Sequence, residues 1–213
     1  DHVTDEGVYI RSMATRGHLG GLSLATPQAV RVLDALGWPW VLIETVGVGQ
    51  IEVDIAEAAD TTVVVVNPGW GDAVQANKAG LMEIADIFVI NKSDRRGVDD
   101  TRRDIQQMLE LSSLGDWEPP IVMTVGTEGD GAQELWTTIG EHRSYLEQSG
   151  ELSSRRRNRI KAEVSKILNW SLEARVQRVL DSPKSAELHE KLESGEIDPY
   201  AAAERLLEID ESD

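Results

Sequence analysis

Val41-Leu-Ile-Glu-Thr-Val-Gly-Val-Gly-Gln50 is an apolar run that ends in a carboxylate and two glycines. Trp38 and Trp40 precede it, and no polar residue interrupts positions 40 to 43. Such continuity suits a strand buried on both faces, the habit of parallel sheets covered by helices. Ligands of open α/β sheets bind outside the carboxyl ends of the strands, and Glu44 would stand there.

A carboxylate at a strand end can orient a magnesium ion and its waters. Gly47, just beyond, lets a backbone N–H approach a terminal phosphate with no side chain in the way. The stretch therefore reads as the Walker B and switch II segment of a P-loop GTPase, with Glu in place of the commoner Asp. A second apolar run strengthens the reading. It extends from Ile84 to Ile90 around Asp86 and opens into Asn91-Lys-Ser-Asp94, fifty positions after Glu44. This is the Asn-Lys-x-Asp pattern of guanine-specific binders. Asp94 can accept parallel hydrogen bonds from the guanine N1–H and 2-amino group. Adenine offers neither donor and would leave a buried carboxylate unpaired. Lys92 can lay its methylene stem along the base, and Asn91 can tie neighbouring loops together.

The remaining chain supplies layers around these strands. Val8 to Met13 alternates enough for a strand, and a glycine-rich loop with Arg16 and His18 follows. Thr26-Pro27 starts a helix that Gly37 ends. Residues 51–59 read as a short helix. Thr61 to Val66 reads as another buried strand, ending in Asn67-Pro-Gly-Trp-Gly-Asp72, with a helix over 73–84. Thr101 to Leu111 is helical, and Pro119-Pro120 enters a strand at Ile121 to Met123. Thr124, Val125 and Gly126 follow at its carboxyl end, where a backbone N–H can meet the guanine oxygen. Gly131 leads into a helix over 132–148 with Leu135, Trp136, Ile139 and His142 inward. Beyond Gly150, Ser153 or Ser154 caps a helix to about Leu180, roughly 40 Å long at 1.5 Å per residue. Ile160, Val164, Ile167, Leu168, Leu172 and Val176 share one of its faces. Arg155-Arg-Arg157 with Arg159 and Lys161 reads as a solvated face. Two short helices follow, 184–193 and 199–208, the second capped by Asp198 with Pro199 in its first turn.

The chain has 213 residues, 40% hydrophobic, with 38 acids against 21 bases and a net charge of −17. That balance disfavours nucleic acid or an anionic membrane as partner. Cysteine is absent, which excludes disulfides and thiolate metal sites. No signal peptide or membrane-spanning run is visible, so a cytoplasmic protein is the expectation.

Four stretches carry a resemblance to a known family. They are Ile10-Arg-Ser-Met-Ala-Thr-Arg-Gly-His-Leu-Gly-Gly-Leu22, Leu42 to Gln50, Pro68-Gly-x-Gly-Asp72 with Gln75 and Lys78, and Asn91-Lys-Ser-Asp94. The chain resembles the MeaB/ArgK family of G proteins, which includes the methylmalonic aciduria type A protein. The resemblance implies a P-loop GTPase that chaperones adenosylcobalamin-dependent methylmalonyl-CoA mutase, gating cofactor loading and protecting the enzyme. It implies GTP or GDP and Mg2+ as cofactors, with Glu44 on the magnesium side and Gly47 at the γ-phosphate. Residues 47–54 would form switch II, with Gln50 among the catalytic positions. Pro68, Gly69, Gly71, Asp72, Gln75 and Lys78 would form a switch that faces the mutase, and the carboxy-terminal helices a homodimerisation arm. An older description of the family is a transport-linked kinase.

The sequence departs from the pattern the resemblance implies, an amino-terminal helical segment, then Gly-x-x-Gly-x-Gly-Lys-Ser/Thr, then a magnesium-side Asp-Arg: no such phosphate-loop motif occurs in it. Without the phosphate-cradling amides, the lysine and the hydroxyl ligand, phosphoryl transfer should be severely impaired. The expectation is an α/β, mostly parallel, P-loop-like fold that is incomplete at its amino end and carries a helical arm. Residues 1–149 would be the G domain without its first strand and 150–213 the arm. GTPase activity is then expected only when the missing segment is supplied. The alternative is a non-catalytic dimeric module docking on an acyl-CoA mutase, or a transport-linked kinase or ATPase of the same family.

Overall fold

The computed structural model describes residues 2–13, 25–45, 58–69, 84–111 and 115–210. After a short 3-10 turn at His2–Thr4, the elements are α1 (Ala25–Ala35), β1 (Val63–Val66), β2 (Ile87–Asn91), α2 (Val98–Glu110), β3 (Ile121–Thr124), α3 (Ala132–Ser149), α4 (Glu151–Leu180), α5 (Pro183–Glu193) and α6 (Pro199–Asp210). By contacts the chain divides into two compact units, Asp1–Arg156 and Arg157–Asp213.

The first unit is built on a parallel three-stranded sheet in the order β1-β2-β3. β2 is the centre, and its Ile-Phe-Val-Ile run is apolar on both faces because a helix layer lies on each. Phe88 and Ile90 join Val64, Val66, Ile105, Met108 and Leu109 on the α2 side. Ile87 and Val89 join Val122, with Leu135 and Ile139 of α3, on the other. Full burial of four such side chains contributes about 1.5–3 kcal/mol each. α2 meets the sheet through Ile105, Met108 and Leu109, the i, i+3, i+4 stripe of an amphipathic helix. Asp99 and Asp100 in its first turn favour the positive end of its dipole.

Gly131 opens α3 at φ +75°, and a Cβ there would lie 2.0 Å from the Met123 carbonyl oxygen. Only glycine lets the chain turn from β3 into α3 so close to the strand it has left.

In the second unit α5 and α6 pack on one another, with Leu188, Ala202 and Ser185 buried. Asp198 caps α6, accepting from the Tyr200 amide at 2.8 Å and the Ala201 amide at 3.1 Å.

Four sequence expectations need correction. Residues 41–45 form no strand, and Leu42 is 84% exposed. Continuous apolarity predicts burial, but a strand also needs a partner to pair with, and among the described residues none runs beside this one. Val8 to Met13 is likewise not a strand, and Val8, Tyr9 and Ile10 are exposed. Trp136 is not inward: it is 46% exposed and packs on Trp40, ring centroids 4.5 Å apart. α4 begins at Glu151, directly after the left-handed Gly150, rather than at a serine cap. The expected helices over 51–59 and 73–84 and the loop of Arg16 and His18 fall largely or wholly outside the described residues.

Candidate functional site

The carboxyl ends of β2 and β3 lie side by side because Asn91 and Thr124 are register partners. The Asn91 side chain then reaches across. Its Oδ1 accepts from the Gly126 amide at 3.1 Å and from the Thr124 hydroxyl at 3.3 Å. The Ser93 amide donates to the Thr124 carbonyl at 3.0 Å, so the two loops are fastened by side chain and backbone alike. Lys92 adopts φ +58°, a left-handed conformation uncommon for a residue with a Cβ. The Arg95 amide returns to the Lys92 carbonyl at 3.0 Å, closing a tight turn. That turn leaves Asp94 exposed. Among the described residues neither Lys92 nor Asp94 has a side-chain hydrogen bond or ion pair. The lone pairs of Asp94 are therefore open to a planar ligand with adjacent N–H donors.

Thr124, Val125 and Gly126 sit where the sequence puts them, but their amides are committed. The Val125 amide donates to the Asp130 carbonyl at 3.0 Å, forming a small antiparallel bridge, and the Gly126 amide is held by Asn91. A base oxygen approaching this loop must share the Gly126 donor with Asn91.

Pro68 and Gly69 follow β1 on the same rim. The Gly69 amide donates to the Thr101 hydroxyl at 3.3 Å, and that hydroxyl donates to the Gly97 carbonyl at 3.1 Å. Gly71, Asp72, Gln75 and Lys78 lie outside the described residues, as do Gly47 and Gln50. Glu44 is described and exposed, but no strand of this sheet carries it to the rim. It belongs to no cluster of three or more acidic or histidine side chains among the described residues. Among the described residues alone no magnesium site is assembled.

A second polar cluster, at the opposite end of the sheet, was not foreseen. Asp86 precedes β2, and Arg155 grips its carboxylate as a fork, with N–O distances of 3.0 and 2.9 Å. The Thr62 amide adds a bond at 2.8 Å, and the Trp117 indole donates to the Asp86 carbonyl at 2.9 Å. His142, fully buried, receives or donates a 2.8 Å bond at Nδ1 with the Thr61 hydroxyl. Its Nε2 lies 3.3 Å from Asp86 Oδ1, a close approach outside hydrogen-bond geometry. Burial pushes the Asp86 carboxyl up, but His142, the Arg155 fork and the Thr62 amide outweigh it and hold it below the ordinary carboxylate range. Arg156 adds an ion pair to Asp60 at 2.6 Å. Two members of the arginine run read as a solvated face, Arg155 and Arg156, instead staple the start of α4 to the base of the sheet, while Arg157 is exposed. The signal was present as an acid inside an apolar run, since a buried carboxylate demands a cation.

The family described as Methylmalonyl Co-A mutase-associated GTPase MeaB matches residues 1–181. A presumed GTPase of Pyrococcus abyssi is 50% identical over 211 residues, covering 97% of this chain and 65% of that protein. The mitochondrial methylmalonic aciduria type A homolog of Mus musculus is 32% identical over 214 residues, covering 95% of this chain and 50% of its own length. The chain thus spans between half and two thirds of these relatives. A crystal structure of an LAO/AO transport system kinase shares the fold, with a TM-score of 0.60 at 24% identity over 86% of this chain and 61% of that one. No helix among the described residues is long and apolar enough to cross a membrane. With that span of matched sequence and the Asn91–Asp94 turn at the sheet's carboxyl rim, the chain belongs to the MeaB family of GTPases.

Proposed function

We propose that this chain supplies the guanine-recognising part of a GTP-binding chaperone for an adenosylcobalamin-dependent methylmalonyl-CoA mutase. The observation that supports it best is the Asn91 clamp, which holds the Asn91–Asp94 turn against the Thr124–Gly126 loop while leaving Asp94 unpartnered. In this reading Asp94 accepts from N1–H and the 2-amino group, the Lys92 stem covers one face of the base, and the Gly126 amide meets the base oxygen. Pro68 and Gly69, with Gly71, Asp72, Gln75 and Lys78, report nucleotide occupancy to the mutase. Glu44 would stand by Mg2+, and Gly47 and Gln50 by the γ-phosphate. The sequence contains no phosphate-loop lysine or hydroxyl, so hydrolysis by this chain alone is expected to be negligible. Titration of the purified chain with GDP and with ADP tests the base assignment. Preference for GDP supports it, and equal or absent binding of both removes it.

A second reading, a dimeric module that docks on an acyl-CoA mutase without turnover, draws on α4. None of the residues of α4 is buried, and its apolar stripe from Ile160 to Val176 stands exposed. A homodimer through this helix is compatible with either reading.

A further inference from the structure

We propose that Thr101 is a positioning residue that couples occupancy of the base site to the segment that follows β1. This rests on the guanine reading of the rim and adds to it a route by which the partner-facing loop senses the base. The rim is strapped on both sides of the Asn91–Gly97 turn. On one side the Asn91 side chain and the Ser93 amide tie it to the β3 loop. On the other, the Thr101 amide donates to the Gly97 carbonyl at 3.1 Å, and the Thr101 hydroxyl reaches across to Gly69. Thr101 is 3% exposed, and its Oγ1 accepts from the Gly69 amide at 3.3 Å while donating to the Gly97 carbonyl at 3.1 Å.

Both loops come close enough for that single oxygen to bridge them. Gly97 takes φ +92°, and a Cβ there would be 3.9 Å from the Gly69 nitrogen. The turn that carries Asp94 therefore ends at the Gly97 carbonyl, which accepts from both the amide and the hydroxyl of Thr101, and the Pro68–Gly69 turn presents its Gly69 amide to that same hydroxyl. A base that draws Asp94 and Lys92 inward moves the backbone up to Gly97. Thr101 passes that movement to Gly69, because a hydroxyl with both its donor and one acceptor engaged cannot follow one loop without pulling the other. A side chain that only filled space would leave the two loops to respond separately.

The test uses the full chain in three forms: unaltered, Thr101→Ser and Thr101→Val. The serine keeps the oxygen, and the valine keeps the shape without it. GDP affinity is measured by titration, and amide hydrogen exchange is followed in peptides spanning residues 67–80 and 121–131, with and without GDP. In the unaltered chain and in Thr101→Ser, GDP should slow exchange in both peptides. In Thr101→Val, GDP should bind within about twofold of the unaltered affinity and still protect 121–131, while the GDP-dependent change in 67–80 disappears. Retention of that change in Thr101→Val overturns the proposal. So does a parallel loss of GDP affinity and of protection in both peptides, which marks Thr101 as a mere structural prop. If the unaltered chain shows no preference for GDP over ADP, the base assignment itself fails. If it binds GDP without any response in 67–80, the assignment survives and the coupling does not.

Discussion

At the scale of single residues, the rim separates the proposed reader of the base from its support. Asp94 is exposed and makes no side-chain hydrogen bond or ion pair among the described residues, whereas Asn91 is half-buried and accepts two bonds that hold the neighbouring loop. Substitution should therefore act differently at the two positions. Asp94→Asn exchanges one acceptor oxygen for a donor, which matches the C2 carbonyl of xanthine and opposes the 2-amino group of guanine. GDP affinity should fall by at least about a hundredfold and XDP should become the preferred ligand, with thermal stability unchanged. Competitive displacement of a fluorescent nucleotide measures both, and a variant that still favours GDP removes Asp94 from base recognition. Asn91→Ala should instead lower stability by about 1–2 kcal/mol, the loss of two hydrogen bonds to a half-buried acceptor, and weaken all nucleotides alike. The position of the Asn91–Asp94 turn was legible in the sequence because a four-residue pattern follows an apolar strand. The commitment of the Gly126 amide to Asn91 was not, since it depends on a register that only the folded sheet defines.

At the scale of elements, all three strands of the sheet were readable, whereas the apolar run at 41–43 was not the strand its composition suggests. Ile87 to Ile90 announces a doubly covered strand by apolarity alone, and both helix layers are there to cover it. Val41 to Ile43 has the same composition, yet no strand of the described chain pairs with it. Composition records what a segment would bury, and the partner decides whether it does. Arg155 was misread for a related reason: a basic run on a helix is usually solvated, and only the position of Asp86 at the foot of β2 turns it into a fork. Asp86→Asn should cost about 2–3 kcal/mol in urea unfolding, less than a wholly buried pair because Arg155 is partly exposed and can rehydrate. The sign of the pH effect follows from the lowered Asp86 carboxyl. A group whose folded pKa lies below its unfolded value stabilises the fold fully above the unfolded value, about 3.9 for Asp, and loses that contribution as pH falls through the folded one. The unaltered chain should therefore lose more stability than Asp86→Asn between pH 5 and the acid limit, and parallel acid profiles would remove the fork from the account. Gly131→Ala tests the other end of the same layer. Its Cβ would overlap the Met123 carbonyl at an unfavourable φ, so a loss of about 3 kcal/mol is expected.

At the scale of the whole molecule, the question is what covers α4. Its apolar residues recur at helical spacing, and Ile160 at 60% and Leu168 at 57% exposure stand open in the isolated chain. A stripe of that length on a helix of 30 residues exceeds the scattered apolar exposure of ordinary surfaces. A second copy would cover it with the same stripe, forming an isologous interface in which each substitution counts twice. Opposing this is a net charge of −17 on each copy. Self-repulsion of that size is screened by salt, whose Debye length shortens from about 10 Å at 0.1 M to about 3 Å at 1 M. Apolar association loses nothing over the same range. Sedimentation equilibrium should therefore show a dimer whose dissociation constant tightens as salt rises, the reverse of an interface held by ion pairs. Leu168→Asp should weaken it by at least about a hundredfold, since it places a carboxylate in the seam from both sides. The GDP affinity of that variant, measured as monomer, should match the unaltered chain, because the proposed base site draws on the Asn91 and Thr124 loops of the first unit. A chain that stays monomeric at high salt, or a Leu168→Asp variant that dimerises as well as its parent, would assign the stripe to a different occupant.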